Sequence, residues 1–149
     1  MDTINIGRKR VGPGQPCFII AEAGDNHNGD IKIAKKLVEA AAMAGSDAVK
    51  FQTFKTEEVV TRTAEMASYQ KRNCEFQKTQ YEMIKELELS NDDFLELKEA
   101  AESLGLIFLS TPFDVPSVEI LEDLGVLAFK ISSTDLDNPF FLRYVARKH

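Results

Sequence analysis

Four strand-like stretches of this chain each end in side chains that could do chemistry. Glu22 closes Cys17–Glu22, and Lys50 and Gln52 stand within Asp47–Thr53. Ser110 and Thr111 close Leu106–Thr111, and Lys130, Ser132 and Ser133 follow Leu127-Ala128-Phe129. Side chains two apart on a strand share a face. Ala48, Lys50 and Gln52 therefore look one way, and Val49 and Phe51 the other. Ile20 shares a face with Glu22, Leu109 with Thr111, and Ala128 with Lys130. Each lysine follows a small residue two positions earlier, which suits a crowded interior. Two cations, several hydroxyls, an amide and a carboxylate on one rim suit a small, polyanionic, hydroxylated substrate. Lysines neutralise phosphate or carboxylate as point charges, and hydroxyls donate to the oxygens.

Each residue also has a plainer reading. A strand-end lysine can reach water from either face by extending its stem. Glu22 could be a solvated or helix-capping carboxylate, and strand-end Ser and Thr often shape turns. His27, within Asn26-His27-Asn28-Gly29, could be a ligand or base, or could order its loop. The convergence of all the strand ends is what favours a site.

Those stretches alternate with helical ones. Ile4–Ile6 and Lys9–Val11 flank Gly7-Arg8 as a hairpin, and Gly12–Pro16 is turn material. Asp30 can cap a helix carrying Ala34, Leu37, Val38 and Ala41 at helical spacing, stopped by Gly45. Residues 54 to about 79 form a polar excursion, a length uncommon for a plain loop. Tyr81, Ile84 and Leu87 then predict a short helix. Ser90–Asp93 resembles a capping box, opening a helix with Phe94, Leu97, Ala101 and Leu104 on one side and Gly105 as its stop. Asp114 and Pro116 open another, stopped by Gly125, and Asn138-Pro139 reads as an N-cap with proline at the first helical position.

Strand–helix four times over predicts an α/β fold with a parallel sheet and right-handed crossovers. In such folds the carboxyl ends of the strands carry the site. An open doubly wound sheet and a closed (β/α)8 barrel compete. No Gly-x-Gly-x-x-Gly follows the first strand, so the barrel is preferred. The predicted division is 1–16, hairpin and turn, and 17–149, a partial barrel.

The 149 residues carry 44% hydrophobic and 28% charged residues with a net charge of −6, an ordinary globular composition without the basic patch of a nucleic-acid binder. No apolar run approaches the roughly 18 residues of a membrane span, and the first residues lack a signal-peptide pattern. Cys17 and Cys74 fit no metal or redox motif and read as free thiols. A cytoplasmic protein is expected.

At these residues the chain resembles the N-acetylneuraminate (sialic acid) synthase family and its nonulosonic-acid relatives. The matching motifs are Phe18–Gly24 with Asn26–Gly29, then Val49–Thr53, Ser110–Phe113 and Phe129–Ser133. One alone is weak; the ordered set is specific. Stretches from Tyr69-Gln70 to Leu87–Ser90 are more similar to the sialic and legionaminic acid branches than to the pseudaminic acid branch. The resemblance implies condensation of phosphoenolpyruvate with an N-acetylmannosamine-type sugar. The enol carbon attacks the open-chain aldehyde, water adds at C2, and phosphate leaves by C–O cleavage. It implies that Lys50, Thr111, Lys130 and Ser133 hold phosphoenolpyruvate. It implies that Glu22 and Gln52 contact the sugar, with Glu22 also serving proton traffic. It implies a divalent metal, manganese or magnesium, acting as Lewis acid on the aldehyde, and a homodimeric full-length protein.

Asp135 stands where many members have Glu, Ser132 replaces a common Gly, and Ala23 and Asp25 sit at variable loop positions. A (β/α)8 barrel takes about 250 residues, so the resemblance makes this chain the N-terminal half. The metal's histidines and the C-terminal antifreeze-like domain would then lie in the half that is absent. Such a half is expected to be inactive alone and, with open strand edges, prone to dimerise. Two alternatives remain. One is another phosphoenolpyruvate-condensing enzyme making a 3-deoxy-2-ketoacid. The other is a non-catalytic half-barrel binding a phosphorylated ligand. A Schiff-base aldolase is disfavoured, since both lysines are recruited to hold anions.

Overall fold

Gly7, in the left-handed region at φ 56°, turns Ile4–Ile6 (β1) back onto Lys9–Val11 (β2), with Ile4 opposite Val11. The computed structural model describes residues 2–65 and 78–148. The hairpin covers the amino-terminal end of the main sheet. Lys9 forms an ion pair of 2.5 Å with Asp47, just before β4 (Ala48–Thr53), and Arg8 donates to the Gly105 carbonyl at 3.0 Å, just before β5 (Ile107–Pro112). The second Asp47 oxygen accepts from the Ile19 amide at 2.8 Å, just before β3 (Ile20–Gly24). These bonds hold the Asp47 carboxyl below its ordinary range, the Lys9 hydrogen bond first among them.

The three strands pair in the order β3-β4-β5, both pairs parallel. Helix α1 (Ile31–Met43) links β3 to β4. After β4 come α2 (Thr56–Val59), α3 (Gln80–Lys85) and α4 (Asn91–Ser103), and α5 (Val115–Asp123) follows β5. A 3-10 turn (Ser133–Asp135) precedes α6 (Pro139–Val145). The helix starts are chemically explicit. The Asp30 side chain accepts from the Lys32 amide at 2.7 Å, Ser90 and Asp93 complete a reciprocal capping box, and Asn138 accepts from the Phe141 amide. Each cap satisfies amide donors that a helix start leaves unpaired. Gly45, Gly105 and Gly125 end α1, α4 and α5 at φ between 68° and 78°, the left-handed stop that glycine adopts without a Cβ penalty.

Alternation separates two apolar clusters. Val49, Phe51 and Phe108 pack against Val38 of α1, Leu97 of α4 and Leu121 of α5, so these three helices share one face of the sheet. Ala48, Ile107 and Leu109 point the other way and meet Ile6 of the hairpin with Phe18, Ile20 and Ala128. All six residues of β5 are buried, as expected where both faces are covered.

The expected fourth strand, Leu127–Ser132, shrinks to a single parallel bridge of Phe129 with Ser110, supported by the Lys130 amide donating to the Ser110 carbonyl at 3.2 Å. Its residues keep the predicted parity, with Phe129 in the helix-side cluster and Ala128 in the inner one. The ladder stops because Ser132 bends the chain into the 3-10 turn, its hydroxyl capping the Thr134 amide at 3.2 Å. Cys74 and part of the 69–90 stretch lie outside the described residues. Cys17 is an exposed free thiol.

Candidate functional site

Strand register, rather than sequence proximity, assembles the centre of the site. Glu22 stands opposite Lys50 on β3 and β4, and Gln52 opposite Thr111 on β4 and β5. The Lys50 ammonium lies 2.9 Å from Glu22 Oε2 and donates to Thr111 Oγ1 at 3.3 Å. Lys50 is 4% exposed as a residue, whereas the Glu22 side chain is 61% exposed. A buried ammonium must be paired or solvated, because desolvating an isolated charge costs far more than any single contact returns. Glu22 is that partner, and it reaches Lys50 from the solvent side.

Register slips between Glu22 and Gly24, leaving Ala23 as the extra residue of a bulge. Bulges of this kind bend a strand and redirect its side chains. Here the chain turns into the loop Gly24–Asp30. A methyl group built on Gly24 would sit 3.6 Å from Gln52 Nε2, so this loop lies against the Gln52 amide. Buried Asp114 joins the loops after β4 and β5. One of its oxygens accepts from the Lys55 amide and the other from the Ser117 amide, each at 2.7 Å.

Lys130 and Ser133 stand on the adjoining rim, both exposed. The Lys130 ammonium bonds locally, to the Ile131 carbonyl at 3.1 Å. Ser110 does not join the rim hydroxyls. It faces the helices, fully buried, and shares a 2.7 Å hydrogen bond with Thr53. Ser132 is spent on capping. His27 is 1% exposed, its Nδ1 accepts from the Gly29 amide at 3.0 Å, and its ring lies 6.1 Å from that of Phe51. Burial pushes its pKa down against the pull of Asp93. Of its two readings, loop ordering is the one the contacts support.

Beyond Gln52 opens a cleft of about 560 Å³. Asp25, Gln52, Thr134 and Asp135 supply polar wall, and Phe54, Ile84 and Phe113 supply apolar wall. Asp25 Oδ1 and Asp135 Oδ2 are buried without a hydrogen-bond partner among the described residues. Burial raises the Asp25 pKa from 3.8 to about 6, with Lys50 pulling the other way. Asp25 sits in a loop, which has no periodicity from which to read where a side chain points. Among the described residues, no group of three or more His, Cys, Asp or Glu side chains is placed to hold a metal ion, and no helix is long and apolar enough to cross a membrane.

The chain is similar to known proteins over most of its length. The N,N'-diacetyllegionaminic acid synthase of Legionella pneumophila is 52% identical over 142 residues, covering 95% of this chain and 40% of that protein. The crystal structure of an N-acetylneuraminic acid synthetase from Leptospira borgpetersenii in complex with citrate superposes with a TM-score of 0.79 at 34% identity. The match covers 98% of this chain and 46% of that one. A truncated 3-deoxy-D-arabino-heptulosonate 7-phosphate synthase from Thermotoga maritima superposes with a TM-score of 0.63 over 98% of this chain and 42% of that one. At 12% identity it shares the fold alone. The chain spans about 40% of the length of the curated relatives it matches. Residues 37–149 match the NeuB family, and the chain belongs to that family.

Proposed function

We propose that this chain supplies the N-terminal half of a (β/α)8 barrel that condenses phosphoenolpyruvate with an N-acetylmannosamine-type sugar, giving a nonulosonic acid and phosphate. Strand order that follows chain order, with α1, α4 and α5 on one face of the sheet, supports a barrel, since a doubly wound sheet places helices on both faces. The inner cluster of Ala48, Ile107 and Leu109, with Ile6 of the hairpin packed against it, fits the filled floor of such a barrel.

The observation that carries the reading is the buried Lys50 ammonium between Glu22 and Thr111 at the carboxyl ends of the strands. A site of this kind exchanges one counter-ion for another. When an anionic ligand arrives, Lys50 shares its charge with it, Thr111 donates a hydroxyl, and Lys130 and Ser133 close in from the rim. Glu22, released in part from Lys50, then faces the sugar beside Gln52. Carbon 3 of phosphoenolpyruvate bonds to the aldehyde carbon and the aldehyde oxygen takes up a proton. Water adds at C2 and gives up a proton, and the C2–O bond to phosphate then breaks with its electron pair leaving on phosphate, while the new C2 hydroxyl gives up its remaining proton and becomes the ketone. Glu22 stands where those protons can pass.

Manganese or magnesium, implied by the family resemblance, finds no ligand set among the described residues. Its ligands are proposed to lie outside them. The full-length protein is proposed to be a cytoplasmic homodimer. The 149 residues alone are expected to bind phosphoenolpyruvate without turning it over. Calorimetric titration of the chain tests this: a saturable signal with phosphoenolpyruvate that Lys130→Ala removes is expected. No signal, or turnover by the 149-residue chain itself, would overturn the assignment.

A further inference from the structure

A second concave site lies at the opposite end of the strands from Lys50. A pocket of about 260 Å³ opens between the hairpin and the stretch that leads into β3. Arg8, Lys9 and Arg10 line it, together with Gln15, Phe18 and Asp47. Three consecutive cations thus meet one pocket in a chain whose net charge is −6. Their bonding separates them. Lys9 is spent on one Asp47 oxygen at 2.5 Å, while the other accepts from the Ile19 amide, so this pair is neutral overall. Arg8 gives one terminal nitrogen to the Gly105 carbonyl at 3.0 Å, and its remaining N–H donors stay available. Among the described residues, neither Arg10 nor the Gln15 side chain has a hydrogen-bond or ion-pair partner. Once the pairing is subtracted, the pocket offers two guanidinium groups and an amide.

We propose that this pocket binds a compact dianion, either a phosphate group or a pair of carboxylates, between Arg8 and Arg10, with Gln15 donating its side-chain amide. A guanidinium presents parallel N–H donors that match two oxygens of a phosphate or carboxylate. Arg8 is held by Gly105 before a ligand arrives. Arg10 stands on β2 opposite Asn5 of β1, so little backbone order has to be gained on binding. Asp47 would repel an anion if it were bare, and Lys9 cancels its charge locally. Phe18 supplies apolar wall for the organic part of a ligand. The volume falls just below the range of about 300–1,000 Å³ typical of small-molecule pockets, which limits the occupant to a small metabolite-sized anion. This site is independent of the condensation reading, which places its anion at Lys50.

The test is a titration of inorganic phosphate into the chain at neutral pH and fixed ionic strength, followed by amide proton–nitrogen spectra. Reading each residue separately keeps binding at the hairpin apart from binding at Lys50. Saturable shifts are expected at Arg8, Arg10 and Gln15, and none with chloride at the same ionic strength, since simple screening does not saturate a site. Arg10 is exposed and its side chain bonds nothing, so Arg10→Gln should fold normally and weaken the hairpin response at least tenfold. Lys50→Gln should leave that response unchanged. A parallel titration with malonate separates the two sources of charge, and the tighter of the two names the ligand class. Shifts that rise without saturating, an equal response to chloride, or unchanged affinity in Arg10→Gln would each overturn the proposal. A hairpin silent to both dianions, or a response that disappears in Lys50→Gln, would overturn it as well.

Discussion

Replacing Asp25 by Asn should stabilise the folded chain at pH 8, and the gain should vanish in acid. Burial raises this carboxyl from 3.8 to about 6 in the fold, so the folded state holds the proton more tightly than the unfolded chain does. The sign follows from linkage: stability from this group is full below pH 4, falls as pH rises through 6, and stays low above it. A displacement of that size corresponds to about 3 kcal/mol, at 1.36 kcal/mol per pH unit. Screening by water in the open cleft reduces it to about 1–2 kcal/mol. Asn keeps the shape and never ionises, so it escapes the penalty. Urea unfolding of both chains between pH 4 and pH 8 reads this directly. With a slope of about 1–3 kcal/mol per M, the midpoint of Asp25→Asn should lie about 0.5–1 M higher at pH 8, converging with the wild type near pH 4. Equal midpoints at pH 8, or a gap independent of pH, would refute the claim that a buried, poorly partnered carboxylate sits in the cleft.

Two further perturbations follow from local geometry. Gly29 is at φ 75°, and a Cβ there would lie 2.1 Å from the Glu86 carbonyl oxygen. Gly29→Ala should therefore lower stability by about 2 kcal/mol or more in thermal unfolding, and an unchanged midpoint would contradict the close approach. Ser110→Ala alone strands the Thr53 hydroxyl in the interior and should cost about 1–3 kcal/mol. Adding Thr53→Val should cost less than the sum of the two single changes, and strict additivity in the double-mutant cycle would mean that the pair is not coupled.

What could be read from the residues was local. Asp30, Ser90 and Asn138 mark helix starts because a cap bonds an amide two or three positions on. The faces of β4 follow from a period of two, and the clusters around Ala48 and around Val49 bear that out. What could not be read was set by distant neighbours. Strand length at Leu127–Ser132 depends on a ladder partner, and only Phe129 finds one. The pairing of Glu22 with Lys50 depends on inter-strand register. Ser110, next to Thr111 on β5, takes the opposite face by the same period of two and bonds Thr53, so lying near a strand end does not by itself place a hydroxyl on the rim. Asp25 lies in a loop, where only the folded backbone sets direction.

The central claim is that the Lys50 ammonium, held between Glu22 and Thr111, binds the anion of phosphoenolpyruvate. Calorimetric titration of phosphoenolpyruvate into the wild-type chain and into Lys50→Gln tests it most directly. Saturable binding by the wild type and a loss of about tenfold or more in Lys50→Gln are expected, as for removing a charged hydrogen-bond donor worth about 1.5–3 kcal/mol. Equal affinity in the two chains would contradict it.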